Sequence, residues 1–330
     1  MKIAINGFGR IGRIFFRQAH NHPDIEVVAV NDLADKDNLI HLLRHDSVYR
    51  GFEISDEEIG KIKFFQERDP ANLLWGDMGV DIVVESTGFF TSYEKAKAHL
   101  DAGAKRVVIS APAKDPAESA EKAGIFTPNV GVEDAVKSRI TSNASCTTNA
   151  VAPVVAIMSR NPGVEKAILN TVHGYTASQG VVDKPDAKDW RRGRAAAVNI
   201  VPSTTGAAIA TAKAIPEMKG KFDGVAMRVP VPSGSIIDFT FLAKKPTTVD
   251  EIKNIFREAA EKPEWQGIVK VNDEPLVSSD ILGEPYGSIV DLNFIKVIDG
   301  NLVKIFSWYD NEWGYSAMLL KHIEVLKGYL

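Results

Sequence analysis

The first third of the chain alternates short apolar runs with longer segments that carry polar residues on one face. The apolar runs predict strands at residues 2–6, 25–31, 80–86 and 106–110. The longer segments predict helices at residues 10–20, 36–44 and 92–102. Strands and helices that alternate in this way are typical of βαβ units. We therefore expect an α/β domain with a parallel sheet at the start of the chain.

The pattern of apolar positions changes near residue 145. A helix is predicted at 146–160, and longer β-rich runs follow it at residues 167–176, 223–231, 235–244, 289–298 and 302–310. Apolar and polar residues alternate imperfectly along these runs, which indicates a largely antiparallel sheet with one covered face. We expect domains at 1–145 and 146–311, with an amphipathic C-terminal helix at 312–330 that packs on the first domain.

Composition and charge narrow the function classes. The chain has 330 residues, of which 45% are hydrophobic and 25% charged, as in soluble globular proteins. Its net charge of -4 argues against nucleic acid or an anionic membrane surface as a partner. We expect no membrane span and no metal, because no apolar stretch is long enough to span a bilayer and no ligand cluster stands out. The single cysteine and the absence of a secretory signal indicate the cytoplasm.

A glycine motif follows the first predicted strand and opens the first predicted helix. Gly7, Gly9 and Gly12 have the spacing G-x-G-x-x-G, and Asp32 lies at the end of the second strand. Such glycines let the backbone approach a pyrophosphate at a helix N-terminus, and such an acid holds an adenosine ribose. The motif favours a nicotinamide dinucleotide over the alternative, a tight turn followed by an ordinary strand-end aspartate.

The only cysteine lies among polar residues, in the stretch SNASCTTNA. Cys146 starts the helix predicted at 146–160, where free amides and the helix dipole favour a thiolate. Ser145 can cap that helix. The alternative is that a lone cysteine is a small core residue, and the polar neighbours argue against it.

Nucleophilic chemistry at this sulfur requires a proton acceptor, and His173 is the best candidate. It lies at the exit of a predicted strand in the same half of the chain as Cys146. His322 lies on the final helix, and exposed positions in or near the helices of the first half are expected for His20, His22, His41, His45 and His99. A dinucleotide motif with a Cys-His pair suggests covalent oxidation of an aldehyde, with hydride transfer to the cofactor.

Several stretches make the chain recognisable by their order and spacing: INGFGRIGR, SNASCTTN, TVHGYTASQ, KDWRRGRAAA, STTGAA, MRVPVP and SWYDNEWGYS. Over nearly the whole chain they closely resemble the phosphorylating glyceraldehyde-3-phosphate dehydrogenase family. The resemblance implies a Rossmann-type parallel-sheet NAD-binding domain and an α+β catalytic domain with a mixed, largely antiparallel sheet. It also implies NAD as cofactor, a cytoplasmic homotetramer, and oxidation of glyceraldehyde 3-phosphate with inorganic phosphate to 1,3-bisphosphoglycerate.

The resemblance also implies roles for residues. Cys146 matches the nucleophile and His173 the base that activates it. Besides the three glycines, the residues that match the family's cofactor contacts are Arg10, Ile11, Asp32, Arg68, Ser110 and Asn311. The residues that match the positions for the substrate phosphate and the inorganic phosphate are Ser145, Thr147, Thr176, Thr205, Gly206 and Arg228. Hydroxyls, amides and the forked guanidinium of Arg228 are suitable donors for two phosphates.

The chain departs from the family pattern in a few places. Ala150 stands where the family commonly has a second cysteine, so Cys146 has no thiol nearby in sequence. The segment at 47–67 is short, which predicts a trimmed surface hairpin, and VPVPSGS at 229–235 alters a loop near the phosphate site. The charged loop at 183–194 is expected to reach a neighbouring subunit near the cofactor.

The carboxylate of Asp32 predicts NAD rather than NADP. It can accept a hydrogen bond from the ribose 2′-hydroxyl of NAD, and it would repel the 2′-phosphate of NADP. Lys184, in the charged loop, would partly offset that repulsion if the loop reaches the adenosine.

Three alternative functions remain to be weighed. Erythrose-4-phosphate dehydrogenase has the same fold and chemistry, but Thr176, Thr205 and Gly206 favour glyceraldehyde 3-phosphate because relatives that act on erythrose 4-phosphate usually diverge there. A catalytically silent NAD-binding or RNA-binding relative would have lost the cysteine, the histidine or the arginine, and all three are present. A thiol hydrolase would have no need of the glycine motif.

Overall fold

The described chain divides into two units, residues 1–145 with 316–330, and residues 146–315. The structure is a computed structural model that describes residues 1–116, 119, 121–187 and 189–330, and only the backbone of residues 134 and 135. The second unit ends at Tyr315, whereas the sequence analysis ends the catalytic domain at Asn311. Among the residues that the structure describes, no helix combines the length and the apolar surface that a membrane span requires.

The first unit begins with alternating strands and helices, as its apolar pattern predicts. Its strands are β1 (Lys2–Asn6), β2 (Glu26–Asn31), β3 (His45–Asp46), β4 (Arg50–Gly51), β5 (Lys63–Phe65), β6 (Ile82–Glu85), β7 (Arg106–Ile109), β8 (Gly124–Ile125) and β9 (Ile140–Ser142). Its helices are α1 (Arg10–Ala19), α2 (Lys36–Arg44), α3 (Asp56–Gly60), α4 (Tyr93–Asp101) and α5 (Val132–Lys137). Strands β3 and β4 pair only with each other among the described residues, and they form a short hairpin.

A parallel sheet forms the centre of this unit, in the order β5-β2-β1-β6-β7-β9-β8. Every neighbouring pair among these described strands is parallel. One hydrophobic cluster joins the sheet to α1 and α2, and a second joins it to α4. Because both faces are covered, β6 and β7 are buried along their whole length, which explains their continuous apolar sequences. The predicted parallel α/β domain is confirmed.

Helix α4 contains a buried histidine that the sequence analysis expected on the surface. Ala96 and His99 are three residues apart and lie on the same buried face of the helix. The expectation of an exposed His99 is wrong, because its ring nitrogens hydrogen-bond to Glu85 and Trp75 inside the domain. A polar ring can be buried when such partners satisfy it.

The second unit contains longer strands. Its elements are α6 (Cys146–Arg160), β10 (Val164–Gly174), β11 (Val201–Thr204), α7 (Ala207–Ala214), β12 (Phe222–Val229), β13 (Ser235–Ala243), α8 (Val249–Glu261), β14 (Val269–Asn272), β15 (Ser288–Ile298) and β16 (Leu302–Tyr309). The last helix, α9 (Trp313–Leu326), begins in this unit and ends in the first.

These strands form a mixed sheet in the order β11-β12-β10-β13-β16-β15-β14. The pairs β10·β12 and β14·β15 are parallel, and the other described pairs are antiparallel. Strand β13 alternates strictly between buried and half-buried residues, and Phe239 and Phe241 on its buried face stack on each other. One face therefore packs on the core, and the predicted mixed, largely antiparallel sheet is confirmed.

Candidate active site and cofactor pocket

A sharp turn precedes helix α6, which begins at Cys146. Ala144 has a left-handed backbone with φ of 54°, a conformation that is uncommon for a residue with a Cβ. Its amide donates to Ser142 Oγ at 3.0 Å, which holds the turn. Helix α6 then begins at Cys146, at the boundary that the sequence predicts.

The structure brings Cys146 and His173 together. The Sγ atom lies 3.3 Å from Nε2 of His173, within the range of a hydrogen bond to sulfur. His173 is the penultimate residue of β10, which lies between β12 and β13 in the sheet. The imidazole is buried, with 3% of the residue exposed, so it has little freedom to leave the sulfur.

Burial governs the protonation of both groups. It raises the pKa of the Cys146 thiol above its ordinary value, and the Arg228 guanidinium and the Thr147 amide offset this only in part. Burial, helped by Arg228, lowers the pKa of His173 to about 3. Both shifts favour the neutral forms, a thiol beside an imidazole. Burial thus opposes the preference for a thiolate that the helix start gives, and that preference stays a prediction.

Arg228 lies against the far side of the imidazole from the sulfur. Strands β10 and β12 run parallel, and their register pairs His173 with Arg228. One guanidinium nitrogen is 2.6 Å from Nδ1 of His173 and 3.1 Å from the carbonyl oxygen of Gly174. The same Nδ1 is 2.7 Å from that carbonyl oxygen. Arginine can only donate and a carbonyl can only accept, so these two neighbours demand opposite hydrogen positions on Nδ1.

Tyr309 is a buried neighbour of the pair that the sequence analysis missed. Its hydroxyl is 2.9 Å from Thr147 Oγ1 and 2.8 Å from Thr171 Oγ1. Its ring meets that of His173 edge to face at 5.9 Å. Burial raises the pKa of Tyr309, which keeps the phenol neutral. The hydroxyl of Thr147, expected to hold phosphate, is thus engaged with the phenol.

A chain of polar contacts links Thr176, an expected phosphate residue, to a second arginine. Thr176 Oγ1 is 2.9 Å from Ser178 Oγ, which accepts a hydrogen bond of 2.7 Å from Arg192. Burial lowers the pKa of Arg228 and the charge of Arg192 contributes, so the two guanidinium groups lie near each other. The sequence analysis placed Arg192 only in a subunit-contact loop. Because Arg192 and Arg228 are far apart in the sequence, the sequence alone does not predict that they lie near each other.

Thr205 and Gly206 form a separate group. Gly206 is the N-cap of α7, and Thr205 Oγ1 accepts a hydrogen bond of 3.2 Å from the amide of Ala207. Strand β11 pairs with β12 so that Val201, the first residue of β11, lies opposite Arg228. Thr205 follows the other end of β11, so it does not lie opposite the arginine in the sheet.

A cavity of about 500 Å³ lies where β1, β2 and β6 end. The carboxyl edge of an open parallel sheet is where such folds bind ligands. The cavity is lined by four of the residues expected at the cofactor, namely Gly7, Gly9, Asp32 and Arg68.

The glycines of this pocket fit a pyrophosphate. Gly7 has φ of 95°, and a Cβ built on Gly12 would lie 2.2 Å from the Gly7 carbonyl oxygen, so both positions require glycine. A Cβ built on Gly9 would meet nothing within 4 Å. The backbone at the start of α1 is therefore open to an approaching anion.

Asp32 is held with its carboxylate in the pocket. Oδ2 accepts a hydrogen bond of 2.6 Å from the amide of Phe8, and Oδ1 accepts one of 2.9 Å from the amide of Ala34. A carboxylate accepts about four hydrogen bonds, so capacity remains for the ribose hydroxyls of a dinucleotide.

The remaining residues expected at the cofactor do not line this cavity in the described structure. Arg10 forms an ion pair with Asp46. Ile11 packs against the core of the first unit, and the amide of Ser110 donates to a carbonyl oxygen of β6. Asn311 belongs to the second unit.

Comparison with protein families identifies the chain. Residues 1–93 match the NAD binding domain of glyceraldehyde 3-phosphate dehydrogenase, and residues 145–311 match its C-terminal domain. The chain belongs to the glyceraldehyde-3-phosphate dehydrogenase family. The glycine motif and Asp32 lie in the first match, and the Cys146 and His173 pair lies in the second.

Relatives from bacteria and fungi agree over nearly the full length. Glyceraldehyde-3-phosphate dehydrogenase of Mycobacterium avium is 48% identical, with 97% of this chain and 96% of the relative covered. That of Geobacillus stearothermophilus is 48% identical over 96% of this chain and 95% of the relative. That of Colletotrichum lindemuthianum is 45% identical over 97% and 95%. The resemblance found in the sequence is confirmed, with NAD as the cofactor.

Proposed function

We propose that the chain is a phosphorylating, NAD-dependent glyceraldehyde-3-phosphate dehydrogenase that converts glyceraldehyde 3-phosphate to 1,3-bisphosphoglycerate. The observation that carries the proposal is the 3.3 Å contact between Cys146 Sγ and His173 Nε2. The names of the relatives support the same activity, and they do not favour the alternative substrate, erythrose 4-phosphate.

The first half of the reaction forms a bond between sulfur and the aldehyde carbon. The thiol of Cys146 transfers its proton to Nε2 of His173 as Sγ attacks, and the imidazolium returns that proton to the oxygen of the hemithioacetal. His173 then takes the hydroxyl proton while the carbon loses a hydride. NAD, when bound, supplies the hydride acceptor. A thioester on Cys146 remains.

The second half releases the product. An oxygen of inorganic phosphate attacks the thioester carbon, the carbon–sulfur bond breaks, and the thiolate recovers a proton from the imidazolium of His173. The negative charge that develops on the carbonyl oxygen requires donors, and the amide of Cys146 and the protonated imidazole are suitable ones.

Arg228 couples phosphate binding to the readiness of His173. While the guanidinium donates to Nδ1, the ring hydrogen must lie on Nε2, where it faces the sulfur and cannot accept its proton. A phosphate draws the guanidinium toward its own oxygens. The Gly174 carbonyl then remains beside Nδ1 and fixes the hydrogen there, which turns the Nε2 lone pair toward the thiol. Arg192 adds a second positive charge for the phosphate.

A kinetic experiment tests the proposal. NADH formation is followed with glyceraldehyde 3-phosphate or erythrose 4-phosphate, each with and without inorganic phosphate. We expect sustained turnover with the first aldehyde and phosphate, and a burst of about one NADH per site without phosphate, because the thioester accumulates. Higher catalytic efficiency with erythrose 4-phosphate would favour the alternative substrate. Equal sustained rates with and without phosphate would contradict the phosphorylating mechanism.

We further propose a homotetramer in the cytoplasm. The outer side of the mixed sheet exposes large apolar side chains, namely Ile168, Val225, Met227, Phe294, Ile298 and Leu302. Large apolar side chains exposed together on one face of a sheet are typical of a protein interface. A second copy of the chain is the expected occupant, and light scattering of the purified protein measures the assembly. A reducing compartment agrees with the single cysteine.

The charged loop at 183–194 supports the same assembly. Trp190 is 87% exposed, and Val181 and Val182, which precede the loop, are also largely exposed. Lys188 lies outside the described residues. A loop with an exposed tryptophan is suited to a neighbouring subunit, since tryptophan is enriched where interfaces gain most binding energy.

A further inference from the structure

The cofactor pocket rests on a buried hydrogen-bond network that contains Glu85, at the end of β6. Its side chain is fully buried. One carboxylate oxygen accepts hydrogen bonds from the amide and the hydroxyl of Thr87. The other accepts from Asn6 Nδ2 at 2.6 Å and lies 3.1 Å from Nε2 of His99. Donors on both oxygens satisfy the hydrogen-bonding capacity that a buried carboxylate has.

The hydrogen position on His99 follows from its neighbours. The indole of Trp75 can only donate, and its Nε1 lies 3.1 Å from Nδ1 of His99. Nδ1 is therefore an acceptor, and the ring hydrogen is on Nε2, directed at Glu85. The histidine is a fixed donor to the carboxylate.

The carboxylate in turn orients two asparagines of the pocket. Because Glu85 takes the Nδ2 group of Asn6, the Oδ1 atom of Asn6 faces Asn31 and accepts from its Nδ2 at 2.7 Å. Asn31 then places its own Oδ1 against the amide of Glu67, at 2.8 Å. An exchange of the oxygen and nitrogen of either amide would set donor against donor or acceptor against acceptor.

The end points of this network are surfaces of the 500 Å³ cavity. Asn6, Asn31, Glu67 and Thr87 all line it. Glu85 and His99 do not, so they act on the cavity only through those residues. Thr87 is also packed against the glycine turn, because a Cβ on Gly7 would lie 2.6 Å from its amide nitrogen. A change at Glu85 would therefore affect both the asparagines and the Thr87 turn that line the pocket.

We propose that Glu85 and His99 are positioning residues for the cofactor, which fix the amide orientations and the Thr87 turn that NAD meets. The pair determines the affinity for NAD and takes no part in the chemistry at Cys146. This inference rests on the NAD-dependent function proposed above.

Calorimetric titration of NAD into the purified protein tests the inference. Glu85→Gln keeps the size of the side chain but places a donor among donors, and we expect it to raise the dissociation constant about tenfold or more. His99→Leu removes one donor and should raise it severalfold. His99→Gln can still donate to Glu85, so it should restore much of the affinity lost in His99→Leu. Trp75→Phe is the matched control, because the Glu85 carboxylate, which can only accept, still holds the His99 hydrogen on Nε2 when the indole donor is removed, and it should stay within about twofold of the parent.

A second readout separates positioning from general damage. Alkylation of Cys146 by iodoacetamide without NAD should proceed at the parent rate in each variant, because the sulfur does not depend on the pocket. The inference would be overturned if the dissociation constants of both Glu85→Gln and His99→Leu stayed within twofold of the parent. It would also be overturned if His99→Leu and His99→Gln lost the same amount of affinity for NAD. Failure of the proposed function is distinguishable, because it would appear as missing phosphate-dependent NADH formation in the parent, whereas failure of this inference would appear as unchanged dissociation constants in the variants.

Discussion

Two buried histidines differ in what their environments allow them to do. Burial lowers the pKa of both His173 and His322 to about 3. Each ring meets an aromatic ring edge to face, Tyr309 for His173 and Phe126 for His322. His173 faces a thiol and a guanidinium, whereas His322 lies 2.9 Å from Thr141 Oγ1.

The difference lies in the partners of the ring. Nδ1 of His322 is 3.3 Å from Asn143 Oδ1, so it donates to that oxygen and Nε2 accepts from the Thr141 hydroxyl. Both ring nitrogens are occupied by groups that neither react nor move away. The contacts of His173 include a nucleophile and a cation that an anionic ligand can attract. A strongly shifted pKa is therefore a weak guide to catalysis unless a reactive partner accompanies it.

The largest difference between variants of His173 and His322 is expected in the turnover number. His173→Asn should lower kcat by roughly 10²–10⁴, because the thiol loses its proton acceptor. His322→Gln should leave kcat within about threefold. Steady-state NADH formation measures both. A loss in His322→Gln as large as that in His173→Asn would break the comparison.

Acid stability should show an effect of His322 that turnover does not show. A histidine with a lowered folded pKa gives stability that is complete above its unfolded pKa of about 6.5 and is lost as the pH falls toward the folded value of about 3. Between pH 7 and pH 5, His322 should cost the parent about 2 kcal/mol of unfolding free energy. His322→Leu should reduce that loss by about the same amount.

Urea unfolding at the two pH values measures this change. His173 remains in both proteins, so its own contribution cancels in the comparison. An equal loss in the parent and in His322→Leu would show that the final helix does not hold a neutral histidine.

Removal of Arg228 makes the surroundings of His173 more like those of His322. Arg228→Ala should raise the KM for the phosphorylated aldehyde, with a loss of about 1.5–3 kcal/mol for each charged hydrogen bond removed. Arg257→Ala is the matched control, because that arginine forms an exposed pair with Asp273 in the same unit. Unchanged kinetics in Arg228→Ala would remove the arginine from the substrate site.

The aromatic partners should give the smallest effects. Tyr309→Phe removes a hydroxyl that Thr147 and Thr171 share, and it should cost about 1 kcal/mol of stability with a less than tenfold change in kcat. Phe126→Leu, beside His322, should lower stability and leave kcat unchanged. Thermal unfolding together with NADH formation distinguishes the two. A large loss of kcat in Phe126→Leu would link His322 to the site after all.

The sequence predicts what depends on local pattern. Apolar periodicity places β1 and α1 within a residue or two, and the helix at 146–160 has the predicted boundaries. Helix α8 was not predicted, although Thr248 and Glu251 form a capping box at its start. Its apolar residues Ile252, Phe256 and Ala259 also recur at helical spacing and are buried, so the apolar pattern carried the signal as well.

Two contacts between residues that are far apart in the sequence could not be predicted from it. Arg192 comes near Arg228 because the turn Trp190–Gly193 contacts β11, the neighbour of β12 in the sheet. Glu85 meets His99 because β6 and the buried face of α4 belong to the same hydrophobic cluster. The residues next to each of these side chains in the sequence do not predict either contact. The depth of burial of Cys146, which raises the pKa of its thiol, is also not visible in the sequence, although the helix start is.

The central claim is that oxidation proceeds through an acyl group on Cys146. Intact-mass spectrometry tests it most directly, on protein quenched after brief mixing with glyceraldehyde 3-phosphate and NAD without phosphate. The account predicts that the mass rises by one phosphoglyceroyl group, that the added group maps to the peptide with Cys146, and that inorganic phosphate removes it. NADH formation with no adduct on that peptide would contradict the account.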